Sequence, residues 1–534
     1  MARYSSGAPR RVLSGEAIVA VLMLCVSSTF AGTSATDPAT ASRCRGLLAL
    51  QSTQFLIRSA DSRSATFEGH SFSFCEIDAT VSPTPGSHIG IVVRLPERWN
   101  GKLLGLGGGG MAGSVTLEAR KPLPGSLDNL AKGYATAQND TGHPSDSVWD
   151  TSWAKSPDGS PNWDGLEDFS YRAVHLMTVW AKKVVQRYYD APAKQAYFMG
   201  CSTGGRQALM EVQRFPQDYD GVVAGAPVYD QRVAASMVVS SRALSAGGTR
   251  LTQHQTTLVN DAILRACDAD DGLKDGIVGN PLRCKWDPAE LACKPGQSDD
   301  QCLTSAQVEG LRRAYSDVRA PDGTIAVFGL PRGSELINIP LFASLGDDLP
   351  NAVGMSNLKA VQFGDPNYDF ASWDPPRDLD QQRTTPYAFM LDAVNPDISR
   401  FLLRGGKLIL WHGLYDGLPR APDTIDYYQT MSRVTAAQLE SRQSSLAITD
   451  AARLFLVQGV GHCSGGPGAD TFDMLSALDA WREKGQAPDR IPARQTSGVV
   501  VGTRPLCAFP ALPRYKPGAD PTVASSFECA AESW

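Results

Sequence analysis

A motif around Ser202 restricts the possible folds of this chain more than any other stretch of its sequence. Residues 197–205 read YFMGCSTGG, with an apolar, strand-prone run before the serine and a helix-prone run at 206–211 after it. Gly200 and Gly204 stand two residues to either side of Ser202, and such small neighbours let the backbone turn sharply between a strand and a helix. The motif therefore predicts a nucleophile elbow, which exposes the serine hydroxyl at the end of a strand.

Apolar runs along the chain supply the other elements of a sheet. Strands are predicted at 89–96, 102–106, 134–137, 219–227, 407–413 and 453–457. A long helix is predicted at 169–189, where apolar residues recur at helical spacing. Another helix is predicted to begin at 424–431, and a final long one spans 473–484. Strands that alternate with helices are typical of an α/β fold with a doubly wound, mostly parallel sheet.

This alternation is interrupted between residues 231 and 399, a segment rich in Pro, Gly, Asp and Asn with only short periodic pieces. Because the alternation resumes afterwards, the segment is predicted to be a large inserted lid domain. The core then has two parts, at 36–230 and 400–534. Residues 36–78 are expected to be loop-rich, held by a disulfide.

The N-terminus has the features of a signal peptide. Arg3, Arg10 and Arg11 precede a short apolar run at 17–26, and small residues follow, so residues 1–31 are predicted to be removed on export. The apolar run is too short for a comfortable transmembrane helix. A net charge of −6 provides no basic face for nucleic acid or an anionic membrane. We therefore expect a secreted or periplasmic protein without either partner.

Ten cysteines remain after the leader, and an even number in an exported chain indicates disulfides. Pairing by proximity in the sequence joins eight of them, as Cys44–Cys75, Cys267–Cys284, Cys293–Cys302 and Cys507–Cys529. The two that remain are Cys201, next to Ser202, and Cys463, next to His462. They are either bonded to each other or two free buried thiols, and export favours the bond.

The order of chemical groups along the chain fits acyl transfer, which needs a nucleophile, a base and an acid that orients the base. Ser202 comes first, Asp416 follows three residues after the predicted strand 407–413, and His462 follows five residues after 453–457. This is the order in which hydrolases with a nucleophile elbow arrange their triads. His412 is a rival base, and the acids Asp392, Asp423 and Asp426 are alternatives to Asp416.

Four consecutive glycines, 107–110, directly follow the predicted strand 102–106. A glycine run placed there supplies one N–H of an oxyanion hole, and Gly110 is our first choice for it. The alternative is a phosphate-binding loop, which lacks the expected Gly-Lys-Ser/Thr sequence here.

The motifs GCSTGG at 200–205 and GHCSGGPG at 461–468, together with Asp416, resemble the tannase and feruloyl esterase family. The likeness extends from about Cys44 to Cys529. It implies an α/β-hydrolase core with an inserted lid and a triad of Ser202, Asp416 and His462. It also implies an oxyanion hole that Thr203 N–H completes, with the Cys201–Cys463 pair bridging the site.

The same resemblance implies a structural calcium ion in the lid, within the segment CDADDGLKDGI at 267–277. Its implied ligands are the carboxylates of Asp268, Asp271 and Asp275 and the backbone carbonyls of Leu273 and Ile277. Oxygen ligands packed this closely suit calcium, although the spacing is not that of an EF-hand. An acidic solvated loop is the alternative.

The function that the resemblance implies is hydrolysis of aromatic acid esters, first of all hydroxycinnamates such as ferulate, including esters attached to plant polysaccharide or polyphenol. Galloyl esters and mono(2-hydroxyethyl) terephthalate are alternative substrates. For terephthalate monoesters, a carboxylate-binding arginine is expected near 357–359 and an aromatic clamp at 419. This chain has Leu358 and Pro419 at those places, with Lys359 as the alternative cation. Outside this class, the alternatives are an acyltransferase and a non-catalytic binding protein of the same fold.

Overall fold

The computed structural model describes residues 38–116, 125–145, 147, 149–297, 300–348 and 355–534. The predicted signal peptide, residues 1–31, lies outside the described residues. None of the helices that the structure describes is long and apolar enough to cross a membrane.

Strands are numbered in chain order, and nine of those that the structure describes form one sheet. Their bounds are β1 Phe55–Phe67, β2 His70–Val81, β3 Ile89–Pro96, β4 Lys102–Leu106, β5 Ala135–Asn139, β6 Gln195–Cys201, β7 Gly221–Gly225, β8 Val318–Arg319, β9 Ile325–Val327, β10 Lys407–Gly413, β11 Ala452–Val457, β12 Thr471–Phe472, β13 Arg490–Gln495, β14 Gly502–Cys507, β15 Ala511–Tyr515 and β16 Phe527–Ala531.

The central sheet has the strand order β1-β2-β3-β5-β4-β6-β7-β10-β11. Every neighbouring pair from β5 to β11 is parallel, whereas β1, β2, β3 and β5 pair in antiparallel fashion. The prediction of a mostly parallel sheet is confirmed. Since parallel strands are covered on both faces, they consist of continuous apolar runs, and this is why their sequences were recognisable.

The helices are also numbered along the chain. Their bounds are α1 Pro38–Arg45, α2 Leu127–Ala131, α3 Trp163–Glu167, α4 Ala173–Tyr189, α5 Thr203–Arg214, α6 Arg232–Ser245, α7 Gln253–Cys267, α8 Ser305–Tyr315, α9 Glu335–Leu345, α10 Met355–Gln362, α11 Pro375–Arg383, α12 Pro386–Leu391, α13 Ser399–Leu403, α14 Ala421–Ser441 and α15 Met474–Lys484.

Helices cover both faces of the sheet. Apolar side chains of α4, α5 and α14, such as Met177, Leu209 and Met431, belong to one buried cluster. On α15, Leu478 and Trp481 belong to a second cluster with β10 and β11. Burial of two separate apolar faces is what makes the sheet doubly wound, and it holds the carboxyl ends of β6, β10 and β11 along one edge.

The segment 231–399 is inserted between two neighbouring strands, because Lys407 of β10 pairs directly with Gly221 of β7. It is more regular than its composition suggested, since α6 and α7 have 14 and 15 residues. Gln255 of α7 and Gln307 of α8 each complete a capping box at the start of their helix, and the two side chains hydrogen-bond to each other at 2.8 Å. The expectation of only short periodic pieces was therefore wrong.

The expectation of a loop-rich segment at 36–78 was also wrong. Residues 55–81 form the antiparallel hairpin of β1 and β2 at the edge of the sheet. Much of β1 is exposed, so polar residues occupy its outward positions and hide the strand pattern. The Cys44–Cys75 disulfide ties α1 to β2, as the spacing of the cysteines predicted.

Candidate active site

Ser202 lies between the end of β6 and the start of α5, as the elbow motif predicts. Its backbone adopts φ 63° and ψ −121°, a conformation with positive φ that is costly for a residue other than glycine. Two backbone hydrogen bonds hold it, from Ser202 N to Gly225 O at 3.0 Å and from Val228 N to Ser202 O at 3.2 Å. The strained turn is therefore fixed by the neighbouring strand β7.

The turn is possible because glycine backbones meet without side chains between them. A Cβ at Gly200 would lie 2.6 Å from the carbonyl carbon of Gly204. A Cβ at Gly205 would lie 2.2 Å from the oxygen of Gly225. Both contacts are with backbone that cannot give way, so a larger residue at either position would force the elbow open.

The structure brings Ser202, His462 and Asp416 together from the ends of three strands, β6, β11 and β10. His462 Nε2 is 2.8 Å from Ser202 Oγ, and His462 Nδ1 is 2.7 Å from Asp416 Oδ2. One imidazole thus contacts a hydroxyl through one nitrogen and a carboxylate through the other. In this arrangement the hydroxyl proton can pass to His462 while Asp416 fixes the ring's tautomer and orientation.

Asp416 is buried, with 1% of its surface exposed, yet its carboxylate is stabilised as an anion. Burial opposes the charge, but His462 and His412 more than offset it and lower the pKa of Asp416 to about 2. Asp416 Oδ1 also accepts a hydrogen bond from Leu418 N at 2.8 Å. Burial alone would lower the pKa of His462, but the attraction of Asp416 raises it above 6.5.

His412, considered above as a rival base, lies on the far side of Asp416. Its Nε2 is 3.1 Å from Asp416 Oδ2 and its Nδ1 is 2.7 Å from Thr424 Oγ1. The ring is fully buried and contacts the acid, so it is not the base of Ser202. Its i, i+4 spacing from Asp416 was visible in the sequence, but the contact depends on the turn after β10.

The alternative acids are engaged elsewhere. Asp392 Oδ1 accepts a hydrogen bond from Gln231 at 3.0 Å. Asp423 and Asp426 lie 3.2 and 3.6 Å from Arg232. Of the acids considered, Asp416 is therefore the one that the structure places on His462.

Cys201 and Cys463 form a disulfide that joins the residue before Ser202 to the residue after His462. Its Cα–Cα distance is 6.0 Å, and it closes a separation of 262 residues. The other four disulfides pair as proximity predicted, and they are Cys44–Cys75, Cys267–Cys284, Cys293–Cys302 and Cys507–Cys529. The chain is thus cross-linked directly beside Ser202 and His462, the two residues between which a proton would pass.

The glycine run 107–110 packs against the first turn of α5. Gly107 N donates to Met199 O at 2.9 Å, and Gly108 N donates to Gln207 Oε1 at 3.0 Å. Within the part of the chain that the structure describes, the N–H groups of Gly110 and Thr203 donate to no protein acceptor. They remain available to a ligand beside Ser202.

The lid reaches the catalytic loops through α9. Asn338 Nδ2 donates to Tyr415 O at 3.0 Å, directly before Asp416. Ile337 lies close to Gly461, the residue before His462. A Cβ added to Gly461 would be 3.6 Å from Ile337 Cδ1. The insertion therefore forms one wall next to the triad.

Comparison with known proteins places this site in a family. The family model described as tannase and feruloyl esterase matches residues 75–340 and 342–530. The chain belongs to the tannase and feruloyl esterase family. It is a carboxylic ester hydrolase, and the resemblance stated from its motifs is confirmed.

Individual relatives agree. The chain is 33% identical over 475 residues to a probable feruloyl esterase of Arthroderma benhamiae, covering 85% of both chains. It is 33% identical over 531 residues to the mono(2-hydroxyethyl) terephthalate hydrolase of Piscinibacter sakaiensis, covering 86% of this chain and 85% of that one. The crystal structure of feruloyl esterase B from Aspergillus oryzae superposes with a TM-score of 0.79 at 26% identity, covering 92% of this chain and all of that one. The α/β-hydrolase fold is thereby confirmed.

The lid aromatics of the esterase pack against one another. Phe363 and Tyr368 stack with centroids 3.7 Å apart, and Phe370 meets both rings edge-on. These three rings and Trp373 are buried. Leu358, where an arginine was expected for a terephthalate monoester, is buried in a cluster with Ala112 and Trp153. Phe363, Tyr368, Phe370 and Trp373 therefore form a small core inside the lid.

The acidic segment 267–277 forms a partly enclosed site in the lid. Asp268 accepts backbone N–H groups from residues 275–277 at 3.1–3.3 Å. Asp275 Oδ1 is buried without a hydrogen-bond partner, and a cavity of about 20 Å³ is lined by Asp271, Asp275 and Ile277. Burial, with Asp275 and Asp268 nearby, raises the pKa of Asp271 to about 7.

The carboxylate oxygens and the cavity suit a calcium ion in ligand type and in space. Arg504 lines the same cavity and lies 3.3 Å from Asp275 Oδ2, which leaves Asp275 Oδ1 for an ion. A cavity of this volume is large enough for one water-sized occupant. Among the described residues, however, no three His, Cys, Asp or Glu side chains converge as a metal site. Backbone carbonyls, which calcium accepts readily, would therefore have to complete its coordination.

Proposed function

We propose that this esterase hydrolyses esters of hydroxycinnamic acids, such as ferulate, through an acyl-enzyme on Ser202. The observation that carries the proposal is the 2.8 Å contact between Ser202 Oγ and His462 Nε2. The other ring nitrogen, His462 Nδ1, is 2.7 Å from Asp416 Oδ2. The relatives that are probable feruloyl esterases support the choice of acid.

In the first step, Ser202 Oγ forms a bond to the ester carbonyl carbon while His462 Nε2 takes the hydroxyl proton. The carbonyl π electrons move onto the carbonyl oxygen, and the N–H groups of Gly110 and Thr203 stabilise that negative charge. When the oxygen re-forms its double bond, the C–O bond to the alcohol breaks. His462 then gives its proton to the departing alcohol, and the acyl group stays on Ser202.

Hydrolysis of the acyl-enzyme repeats these steps with water. His462 takes a proton from the water as its oxygen attacks the acyl carbon, and it returns the proton to Ser202 when the acid leaves. Asp416 stays ionised throughout and stabilises the imidazolium that forms twice in each cycle. An alcohol in place of water would make the enzyme an acyltransferase.

A second candidate substrate is mono(2-hydroxyethyl) terephthalate, because a hydrolase of that ester is 33% identical to this chain. The free carboxylate of that substrate needs a cation, and Leu358 is a buried apolar residue. The alternative cation, Lys359, has its Nζ 5.3 Å from the ring centre of Phe370. This difference favours the uncharged hydroxycinnamate esters. Galloyl esters, the substrates of tannases, remain a third possibility within the family.

We also propose that calcium binds at Asp268, Asp271 and Asp275 with the carbonyls of Leu273 and Ile277. Bound there, the ion would stabilise the lid, and no step of the reaction involves it. The five disulfides indicate that the protein folds in an oxidising compartment, which agrees with the proposal of a secreted or periplasmic enzyme.

The test is a comparison of kcat/KM for methyl ferulate, methyl gallate and mono(2-hydroxyethyl) terephthalate, with Ser202→Ala as the control. We expect methyl ferulate to be the best of the three, and the variant to be inactive on all of them. A preference for either other ester of about tenfold or more, which is about 1.4 kcal/mol in the barrier, would overturn the choice of acid. A wild-type protein with no esterase activity would indicate a binding protein.

A further inference from the structure

We propose that the side-chain hydroxyl of Thr203 is a positioning group that holds the two halves of the oxyanion hole together. This inference rests on the proposed function and concerns how that site is built. Thr203 Oγ1 donates a hydrogen bond of 2.5 Å to Gly110 O. The residue that offers one oxyanion N–H thus anchors the residue that offers the other.

The glycine loop needs such an anchor because its own conformation is free. Gly110 has φ 55°, in the left-handed region that glycine adopts easily. Its N–H direction is set only by contacts on either side. On its N-terminal side, Gly109 O accepts a hydrogen bond from Ala112 N at 2.8 Å, and this bond closes a tight turn that contains Gly110. On the other side, the Gly110 carbonyl is held by Thr203.

The next carbonyl of the loop is held as well. His143 Nε2 lies 2.8 Å from Met111 O and donates to it, since a carbonyl can only accept. The His143 ring is stacked on Trp153, with centroids 4.1 Å apart, and it is buried. Burial lowers the pKa of His143 to about 4, so the ring stays neutral at ordinary pH. Ser145 N adds a third anchor, to Gly113 O at 2.9 Å.

These anchors have a geometric purpose. An oxyanion is stabilised only if both donors lie about 3 Å from the position that it will occupy. The elbow fixes the Thr203 N–H, because it is the first residue of α5. The Thr203 hydroxyl holds the peptide unit 110–111, which directly follows the unit that carries Gly110 N–H, and so restricts how that N–H can turn.

The test compares Thr203→Val, which keeps the shape and loses the hydroxyl, with Thr203→Ser, which keeps the hydroxyl. With methyl ferulate, we expect Thr203→Val to lower kcat by about 10- to 100-fold at nearly unchanged KM, somewhat less than the loss of a whole oxyanion donor. Thr203→Ser should recover most of that loss. The melting temperature of each variant separates this effect from general destabilisation.

An inhibitor measurement distinguishes positioning from substrate binding. An aryl trifluoromethyl ketone forms a tetrahedral adduct with the serine, and its oxygen occupies the oxyanion position. Its affinity should fall in Thr203→Val by the same factor as kcat/KM, whereas the affinity for ferulic acid should not change. Equal losses for ketone and acid would show a role in binding, and would overturn the inference.

A second variant keeps the inference testable if Thr203→Val does not fold. Thr203→Ala removes the same hydroxyl without placing a second methyl group against the loop, so it should give the same kcat-selective loss. If folded variants retain wild-type kcat, the hydroxyl does not position the loop. A wild-type protein without Ser202-dependent hydrolysis would instead contradict the proposed function itself.

Discussion

His412 and His462 both contact a single carboxylate oxygen, Asp416 Oδ2, at 3.1 and 2.7 Å. Thr424 Oγ1 lies 2.7 Å from His412 Nδ1, so the tautomer in which Nε2–H donates to the acid satisfies every group. The carboxylate is thus held from both sides, and its oxygen stays directed at the base. The backbone N–H of Leu418 holds the other carboxylate oxygen, Oδ1, at 2.8 Å, so the second imidazole adds to backbone support.

Replacement of His412 tests that support. His412→Leu removes one donor from a buried anion, and a hydrogen bond to a charged group contributes about 1.5–3 kcal/mol. We expect kcat/KM for methyl ferulate to fall by about 10- to 100-fold, with the acid limb of the pH profile moved to higher pH, because a less solvated Asp416 attracts the proton of His462 more strongly. His175→Leu, which removes a half-buried histidine of α4 that contacts Asp218, is the control and should leave kcat unchanged.

The Cys201–Cys463 disulfide should affect both stability and catalysis. In Cys201→Ala/Cys463→Ala, the free energy of unfolding should fall by about 2–5 kcal/mol, and a shift of the base relative to the serine should lower kcat by about 10- to 100-fold. Denaturant unfolding and steady-state kinetics measure the two effects. Cys507→Ala/Cys529→Ala removes a disulfide away from the triad, so it should lower stability and leave kcat intact. Equal kcat losses in both double variants would contradict the positional role.

The pH dependence follows from the raised pKa of His462. The base acts only when neutral, so kcat/KM should be low in acid and should rise as the pH passes through a value above 6.5. In Asp416→Asn the attraction is lost and burial alone acts, so the acid limb should move to lower pH. By analogy with other triads, kcat should fall by about 10⁴-fold in that variant. An unmoved acid limb would show that another group titrates.

Calcium binding to the lid can be tested without any assay of activity. If the ion binds only the folded protein, calcium at 100 times its Kd should raise the free energy of unfolding by about 2.7 kcal/mol, and a chelator should reverse the change. Asp275→Asn should abolish the effect, whereas Asp322→Asn, at an exposed acid elsewhere in the lid, should not. Calorimetric titration with calcium alone gives the stoichiometry, and absence of binding would refute the site.

Local features explain what could be predicted from the sequence. The bounds of β10 were predicted as 407–413 because a strand buried on both faces is one apolar run with clear ends. The elbow was equally local, since its glycines and serine lie within six residues. Asp416 and His462 could be proposed because functional residues follow the carboxyl ends of such strands.

Other features depend on contacts between distant parts of the chain. The β1–β2 hairpin was missed because an edge strand carries polar residues outward. The lid helices were missed because their stability comes from packing and from pairs such as Gln255 with Gln307, 52 residues apart. The hydrogen bond from Thr203 to Gly110 spans 93 residues, and no local pattern indicates it.

The measurement that tests the central claim most directly is the rate of methyl ferulate hydrolysis by the Ser202→Ala variant. The alanine removes the oxygen that forms the acyl-enzyme and leaves His462 and Asp416 in place. The account predicts a fall in kcat of about 10⁵–10⁶-fold, as expected when the nucleophile of a triad is removed, with the melting temperature unchanged. A folded Ser202→Ala variant that hydrolyses the ester at a rate close to that of the wild type would contradict it.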